Sequence, residues 1–454
     1  MAMRKIGLYW FGNDLRLHDN NNLEQASAAL DQLVCVYCLD PAWLAPNQFG
    51  MAHLSSLRWL FLKQALQDLD RNLQQVGQHL LVCYEAPVTA ITTLVSKHGI
   101  SAIYRSRHGG FQERQTWLAL QKQLPGLRFI ETDTQTLFHL KDLPFAQLPQ
   151  SFTQFKDMVE HLPIDQPSSA CSALPASPES KSDWLFNFPV YLAASSAFDP
   201  DMAFQGGETT GKRHLRAYFR SSYPSNYKAV RNELDGWENS SKFSPWLAQG
   251  NLSVRKIYAN LRRYEQENGA NESTYWLYFE LLWREYFQWY ALQHGRRLFA
   301  FRGIKQHKPL TSFYPERFQK WCNGYTPYPL VNACMKQLKA TGYLSNRGRQ
   351  IVASCLVNEL AVDWRFGAAY FEQHLLDYDV ASNWGNWQYL AGVGADPRGQ
   401  RHFDLEKQTR LYDPEGKFIN KWQAEVRNLP LDSVDAADWP VDPEIAKLAC
   451  ILPA

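Results

Sequence analysis

The sequence predicts an α/β N-terminal domain, built on a parallel five-stranded Rossmann-like sheet, joined by a long linker to an all-α C-terminal domain. Three observations carry this. Short apolar runs alternate with helical periodicity through the first third; a Pro- and Ser-rich stretch without periodicity follows; beyond Gly206 the strand signal is gone and helical patterns succeed one another. The length, 454 residues, suits two or three domains, at about 100–200 residues each. The boundaries fall at 1–135, a linker at 136–205, a helical domain at 206–430 and a short tail at 431–454.

The runs Ile6–Phe11, 33–39, Leu80–Tyr84, 100–104 and 127–130 read as strands, with helical patterns such as 54–76 and 111–124 between them. Such alternation makes right-handed βαβ units and therefore a parallel sheet. No GxGxxG or Walker glycine pattern follows the first run, so the usual nucleotide signatures are absent. Cys35 and Cys38 form a CxxC inside the second run. Residues three apart on a strand face opposite sides of a sheet, so the pair reads as buried strand and not as a metal site. The stretch LPIDQPSSACSALPASPESKSD (162–183) is the core of the linker. Helices are then expected at 212–221, 254–267, 275–294, 330–341, 349–359 and 364–376.

Apolar residues make up 45% of the chain, enough for a large core, which excludes wholesale disorder. The net charge of +2 excludes a generally basic nucleic-acid coat and leaves room for a local basic patch. The most apolar long segment, 275–292, carries Glu280, Arg284 and Glu285, too many charges for a membrane span. Eight cysteines without framework spacing, and no signal-peptide pattern, point to a reduced, cytoplasmic chain. Of 16 Trp, twelve lie at or after Trp184. An indole-rich helical domain suggests a flat aromatic guest or an aromatic core, and composition does not choose between them.

Four segments carry chemistry. SSKFSPWLAQGNLS (240–253) sets Ser240, Ser241 and Ser244 around a helix start, which suits an anion or ordinary capping. In WLYFELLWREYFQWY (276–290), eight of 15 residues are aromatic, and Glu280, Trp283 and Arg284 share one helical face. They either form an ion pair or line a polar cleft. In GYLSNRGRQIVAS (342–354), Asn346, Arg349 and Gln350 share a face while Arg347 points elsewhere; amides and guanidinium suit a ligand with fixed donors and acceptors. In 363–398, Asp377, Asp379 and Asn383 cluster with Trp384, Trp387 and Tyr389. No third hard ligand stands at loop spacing, so pairing of Asp377 with Arg349 is expected and a metal is not.

These segments, in this order and together with LYWFGNDLRLHDNNNL (8–23), resemble the photolyase/cryptochrome family over nearly the whole chain, and its DASH-type branch most closely. SSKFSPWLAQG, FELLWREYF, TGYLSNRGRQIVAS, SNWGNWQY and AGVGADPR carry the branch resemblance. The resemblance implies an α/β antenna domain and a helical domain holding FAD folded into a U. By position it assigns Tyr227, Ser240, Ser241, Phe243 and Ser244 to the FAD phosphates, and Arg284, Asn346 and Arg349 to further flavin contacts. It assigns Asp377 and Asp379 to the ring and ribose, and Asn383 to the ring's redox-active nitrogen. It implies light-driven electron transfer from reduced FAD to a cyclobutane pyrimidine dimer flipped into the cavity. Glu280 would hydrogen-bond its bases and Trp283 would stack on them. Arg347 and Arg401 are the expected phosphate contacts.

Gln350 and Tyr389 resemble the DASH branch, where duplex-repair enzymes carry Met and Trp; a more polar, less stacking cavity suits dimers in single-stranded DNA. Trp387 and Trp364 match the proximal and middle members of the family's electron relay, while Thr311 stands at the distal position, which implies slow photoreduction or a detour through Trp321 or a Tyr. Asn332 replaces an Asp in PYPLVNACM. His108, in RSRHGGFQE, stands where relatives often carry a folate-binding Glu, which argues against methenyltetrahydrofolate as antenna. The cysteines do not match the family's iron–sulfur branch, and a monomer is expected. The competing readings are a blue-light photoreceptor that binds DNA or a partner with little repair and, setting the resemblance aside, an adenylate-handling enzyme, which would be colourless.

Overall fold

A computed structural model describes residues 4–178, 204–395 and 401–424. The tail and residues 179–203 of the linker lie outside these. Five parallel strands, β1 (Ile6–Phe11), β2 (Gln32–Leu39), β3 (Leu80–Tyr84), β4 (Ala102–Ser106) and β5 (Arg128–Thr132), form one sheet in the order β3-β2-β1-β4-β5. Helices α1 (Asn21–Ala29), α2 (Ser56–Gln75), α3 (Pro87–His98) and α4 (Phe111–Gln123) supply the crossovers. On β2, Cys35, Tyr37 and Leu39 face one apolar layer while Val34, Val36 and Cys38 face the other. A parallel sheet covered on both sides needs such a continuous apolar strand, and the CxxC is split across it as expected. Strand β4 begins two residues after the sequence run because Ile100 still bonds back to Val95 at the end of α3.

The segment after β5 is a packed strap. Leu137, Phe138, Leu148 and α5 (Phe152–Val159) sit in the core of the helical domain. The chain then returns to the sheet, where the Leu174 amide donates to Val76 and the Leu33 amide to Ala176.

The helical domain comprises α6 (Glu208–Arg220), α7 (Tyr223–Val230), α8 (Ser244–Ala248), α9 (Val254–Asn268), α10 (Glu272–His294), α11 (Pro315–Asn323), α12 (Pro329–Thr341), α13 (Asn346–Ser354), α14 (Trp364–His374), α15 (Val380–Leu390), α16 (Leu405–Tyr412) and α17 (Lys417–Lys421). All six helices expected from the sequence are among them. α10 starts at a capping box between Asn271 and Thr274, ends at the left-handed Gly295, and runs through the middle of the domain.

The turn after β1 joins the two domains. Tyr9 donates to Asp14 at 2.6 Å, and the Arg16 guanidinium spans the carbonyls of Gly250 (2.9 Å) and Thr134 (2.6 Å). Asp19 pairs with Arg255 at 3.1 Å, both 1% exposed. Burial pushes the Asp19 carboxyl up, but Arg255 and Arg16 outweigh this and hold it below the usual carboxylate range. No described helix is long and apolar enough to cross a membrane.

Candidate functional site

Four stretches of chain converge on a cavity of about 500 Å³ in the helical domain, within the range of cofactor sites. From α10 come Trp276, Glu280, Trp283, Arg284 and Phe287, spaced as one helical face. Opposite stand the turn Ser240–Ser244, the α13 residues Asn346, Arg349 and Gln350, and Asp377 and Asp379 leading into α15 with Ser382, Asn386 and Tyr389. Tyr227 and Arg401 complete the lining.

Arg349 donates to Asp377 at 2.7 Å and to the Leu344 carbonyl at 2.9 Å, so the expected charge pair is formed. The other oxygen of Asp377, Oδ1, is buried and has no donor among the described residues. Asp379 accepts from Gln288 at 2.9 Å and caps α15 through the Ser382 amide at 2.7 Å. Arg284 donates to the Gln135 carbonyl at 2.6 Å, from the strap. Glu280 and Arg284 both line the cavity and do not pair; the partner of Glu280 is Arg231, whose guanidinium also lies 4.5 Å over Trp276. Phe152, at the start of α5, stacks on Trp283 with centroids 3.7 Å apart and 10° between the rings. Tyr389 meets Trp283 edge-on at 6.0 Å and carries Arg401 4.5 Å above its own ring.

Ser244 opens α8, with Ser240 and Ser241 in the turn before it. Between them Lys242 takes a left-handed conformation at φ 53°, is buried, and lies 4.8 Å over Tyr343 with its ammonium 3.4 Å from the hydroxyl. Burial pushes the Tyr227 phenol up, so it stays a neutral hydroxyl.

Two expected site residues stand elsewhere. Arg347 turns away from the cavity, donating to Asn232 at 3.1 Å over the ring of Tyr412 (4.9 Å), as its helical phase requires. Asn383 does not line the cavity: its amide donates to the Ala368 carbonyl at 3.0 Å, and its neighbours Ser382 and Asn386 take the cavity-facing positions of α15. Sequence reasoning also missed Lys242, Arg231 and Tyr343 as lining residues. The one signal for Lys242 was a cation amid the hydroxyls of a candidate anion site.

Trp387 and Trp364 lie behind the cavity wall, both buried. A Cβ on Gly367 would fall 2.3 Å from the Trp387 ring, which places that indole one helical turn from Trp364 along α14. Trp321 is fully buried, edge-on to Trp387 at 6.3 Å, and donates to the Val352 carbonyl. The buried Thr311 hydroxyl has no partner among the described residues. Asn332 has a local role: its amide donates to the Thr326 carbonyl at 2.7 Å and its oxygen accepts from the Thr326 amide at 2.8 Å, a donor an Asp carboxylate lacks. His108 accepts from the Gly110 amide at 3.0 Å at the start of α4.

A ligand with an acidic linker and planar hydrogen-bonding rings matches this donor set: Asp377 offers an unpartnered acceptor, Lys242 a buried cation. The family profile described as the FAD binding domain of DNA photolyase matches residues 276–452, and that of DNA photolyase matches residues 7–176. Cryptochrome DASH of Idiomarina loihiensis is 52% identical over 97% of this chain and 98% of its own length. The chain belongs to the photolyase/cryptochrome family, in its DASH branch. The crystal structure of the Synechocystis cryptochrome superposes with a TM-score of 0.88 at 40% identity, covering 100% of this chain and 95% of that one. An archaeal photolyase from Sulfolobus tokodaii, solved with two FAD molecules, gives 0.74 at 25% identity, covering 98% and 99% of the two chains. The α/β domain and helical domain are those of this family, and the chain is a cryptochrome/photolyase FAD protein.

Proposed function

We propose that the chain splits cyclobutane pyrimidine dimers in single-stranded DNA under blue light. The observation that carries this is that Glu280 and Trp283, on one face of α10, share a cavity with the Arg349–Asp377 pair, opposite Gln350 and Tyr389. FAD, when bound, supplies a light-driven one-electron donor. The residues of the chain do the rest. Arg349, Asp377, Asp379, Asn346, Arg284 and the Ser240–Ser244 turn hold and orient the cofactor. Glu280 hydrogen-bonds the extruded bases, the cavity edge of Trp283 and the Tyr389 ring bracket them, and Arg401 faces a flanking phosphate. Tyr389 offers less stacking area than an indole, so less of the cost of unpairing a duplex is recovered, and single strands are the better substrate. A cytoplasmic monomer fits this reading, and folate is not part of it.

The test is light-driven repair of dimer-containing single-stranded and duplex oligonucleotides on the same preparation. Strong preference for single strands, abolished in Glu280→Ala with FAD retained, is the expected result; equal turnover on both substrates refutes it. The second reading, a photoreceptor with little repair, draws on the resting state of the cavity, in which Arg231 engages Glu280 and Phe152 covers one face of Trp283. It requires Glu280→Ala to leave light responses unchanged. With Thr311 unable to serve as a relay, photoreduction through Trp387 and Trp364 is expected to be slow or to leave by Trp321. Efficient formation of a long-lived exposed Trp radical in Trp321→Phe, seen by transient absorption, excludes that exit.

A further inference from the structure

His214, on α6, lies outside the cavity yet touches the turn that forms one of its walls. Its Nε2 stands 2.8 Å from the Ser241 carbonyl oxygen. A carbonyl only accepts, so Nε2 carries the proton and the tautomer is settled. The ring is boxed in: it stacks on Trp246 at 4.9 Å and 24°, with Phe243 (5.5 Å) and Trp237 (5.4 Å) meeting it edge-on. That box is itself built. The Trp246 indole donates to the Gln205 carbonyl at 2.9 Å, and Gly211, one turn before His214, lets α6 come close enough that a Cβ there would lie 3.0 Å from the indole. Burial, and then the neighbouring Lys242 cation, favour the neutral ring, although the Ser241 bond opposes this.

The bond falls at a decisive place. Ser241 precedes Lys242, a non-glycine residue at φ 53°, a conformation that is strained without outside support. In a planar trans peptide the C=O and the following N–H point in opposite directions. With the Ser241 carbonyl fixed toward His214, which does not line the cavity, the Lys242 N–H points to the opposite side of the turn, where residues 240–244 line it. Among the described residues that N–H donates to no backbone carbonyl. The left-handed residue also turns the buried Lys242 side chain over Tyr343, into the same wall.

We propose that His214 is the positioning residue of this turn, holding the Ser241–Lys242 peptide flipped so that its N–H and the Lys242 ammonium face the FAD diphosphate. This rests on the assignment of the turn to the diphosphate. The sequence offered no pointer to it, because the histidine lies 27 residues upstream on another helix.

The experiment follows FAD release from the holoprotein by the rise in flavin fluorescence, alongside the thermal melting of the chain and the vibronic structure of the bound-flavin absorption band. His214→Phe keeps an aromatic ring in the box and removes the donor; His214→Gln returns an N–H near the Nε2 position. Release about tenfold faster in His214→Phe, restored to within about threefold in His214→Gln, is the outcome expected from one lost hydrogen bond and the turn it holds. Band shape should stay as in the wild type, and any small loss of melting in His214→Phe should be regained in His214→Gln together with the release rate. Unchanged release in His214→Phe overturns the proposal. So does an equal defect in both variants accompanied by lowered melting, which would make the histidine a packing element only. Lys242→Met separates the premises: if it leaves release unchanged, the assignment of the turn to the diphosphate fails and the proposal with it; if it speeds release while His214→Phe does not, the positioning role alone fails.

Discussion

Asp377 is the residue on which cofactor retention should turn. Its Oδ2 is taken by Arg349 and its Oδ1 is buried with no donor among the described residues, which leaves the carboxylate half satisfied by them. Asp377→Asn keeps the shape and removes the charge; FAD release by flavin fluorescence is expected to be at least about tenfold faster, since the partly buried Arg349 guanidinium then lacks its counter-charge. His374 provides a pH signature. Burial, then Lys339 and Arg58, lower it from the ordinary 6.5 to about 4. The neutral ring is therefore favoured in the folded state, and its stability contribution is complete above about pH 6.5 and lost as pH falls toward 4. At about 1.36 kcal/mol per unit this is up to about 3 kcal/mol. The melting temperature should fall across that window, and His374→Gln should flatten the fall. The pairing of Arg349 with Asp377 was legible in the sequence, because both lie at fixed positions in strong motifs. Arg231 was not, because its pairing with Glu280 depends on how α7 docks against α10, which no local pattern encodes.

Among the elements, α10, α13, α14 and both long helices of the first domain were legible because their apolar periodicity persists for several turns. Helices α1 and α3 were not: α1 spans nine residues with its buried positions shared between Asn22, Leu23 and Ala26, and α3 is half β-branched, with only Ala90, Ile91 and Leu94 buried. The sequence pattern placed a single helix over 349–359, whereas α13 gives way to a π-helical turn, Cys355–Glu359, so that the helix widens where Ser354 bonds Asn358 and the Phe403 amide. Close approach of α14 to α15 hangs on Gly367. With a Cβ there 2.3 Å from Trp387 and 2.5 Å from Leu356, Gly367→Ala should cost about 1–3 kcal/mol by overpacking. Denaturant melts would show this, together with a shift in Trp387 fluorescence, since the indole must move.

For the whole molecule, the seam between the domains is the point of greatest risk. Asp19 faces Arg255 and lies near Arg16, all nearly water-free, and Arg255 Nη1 has no acceptor among the described residues. Asp19→Ala strands two guanidinium groups and is expected to destabilise the chain by about 3–5 kcal/mol, read by calorimetry. Replacing both members, in Asp19→Leu with Arg255→Met, should recover most of that loss. The near-neutral total charge predicts modest DNA affinity with a steep salt dependence carried by the one cationic face at the cavity mouth, which a titration against ionic strength measures. The stacking of Phe152 on Trp283 has a consequence for modularity. The platform that would meet a damaged base is assembled from two distant stretches of chain, one of them ahead of the helical half. A gene fragment encoding residues from 206 onward would therefore inherit most of the pigment pocket while leaving bare the reverse side of the indole proposed to stack on the lesion, so under that proposal pigment and repair would not travel together as a cassette.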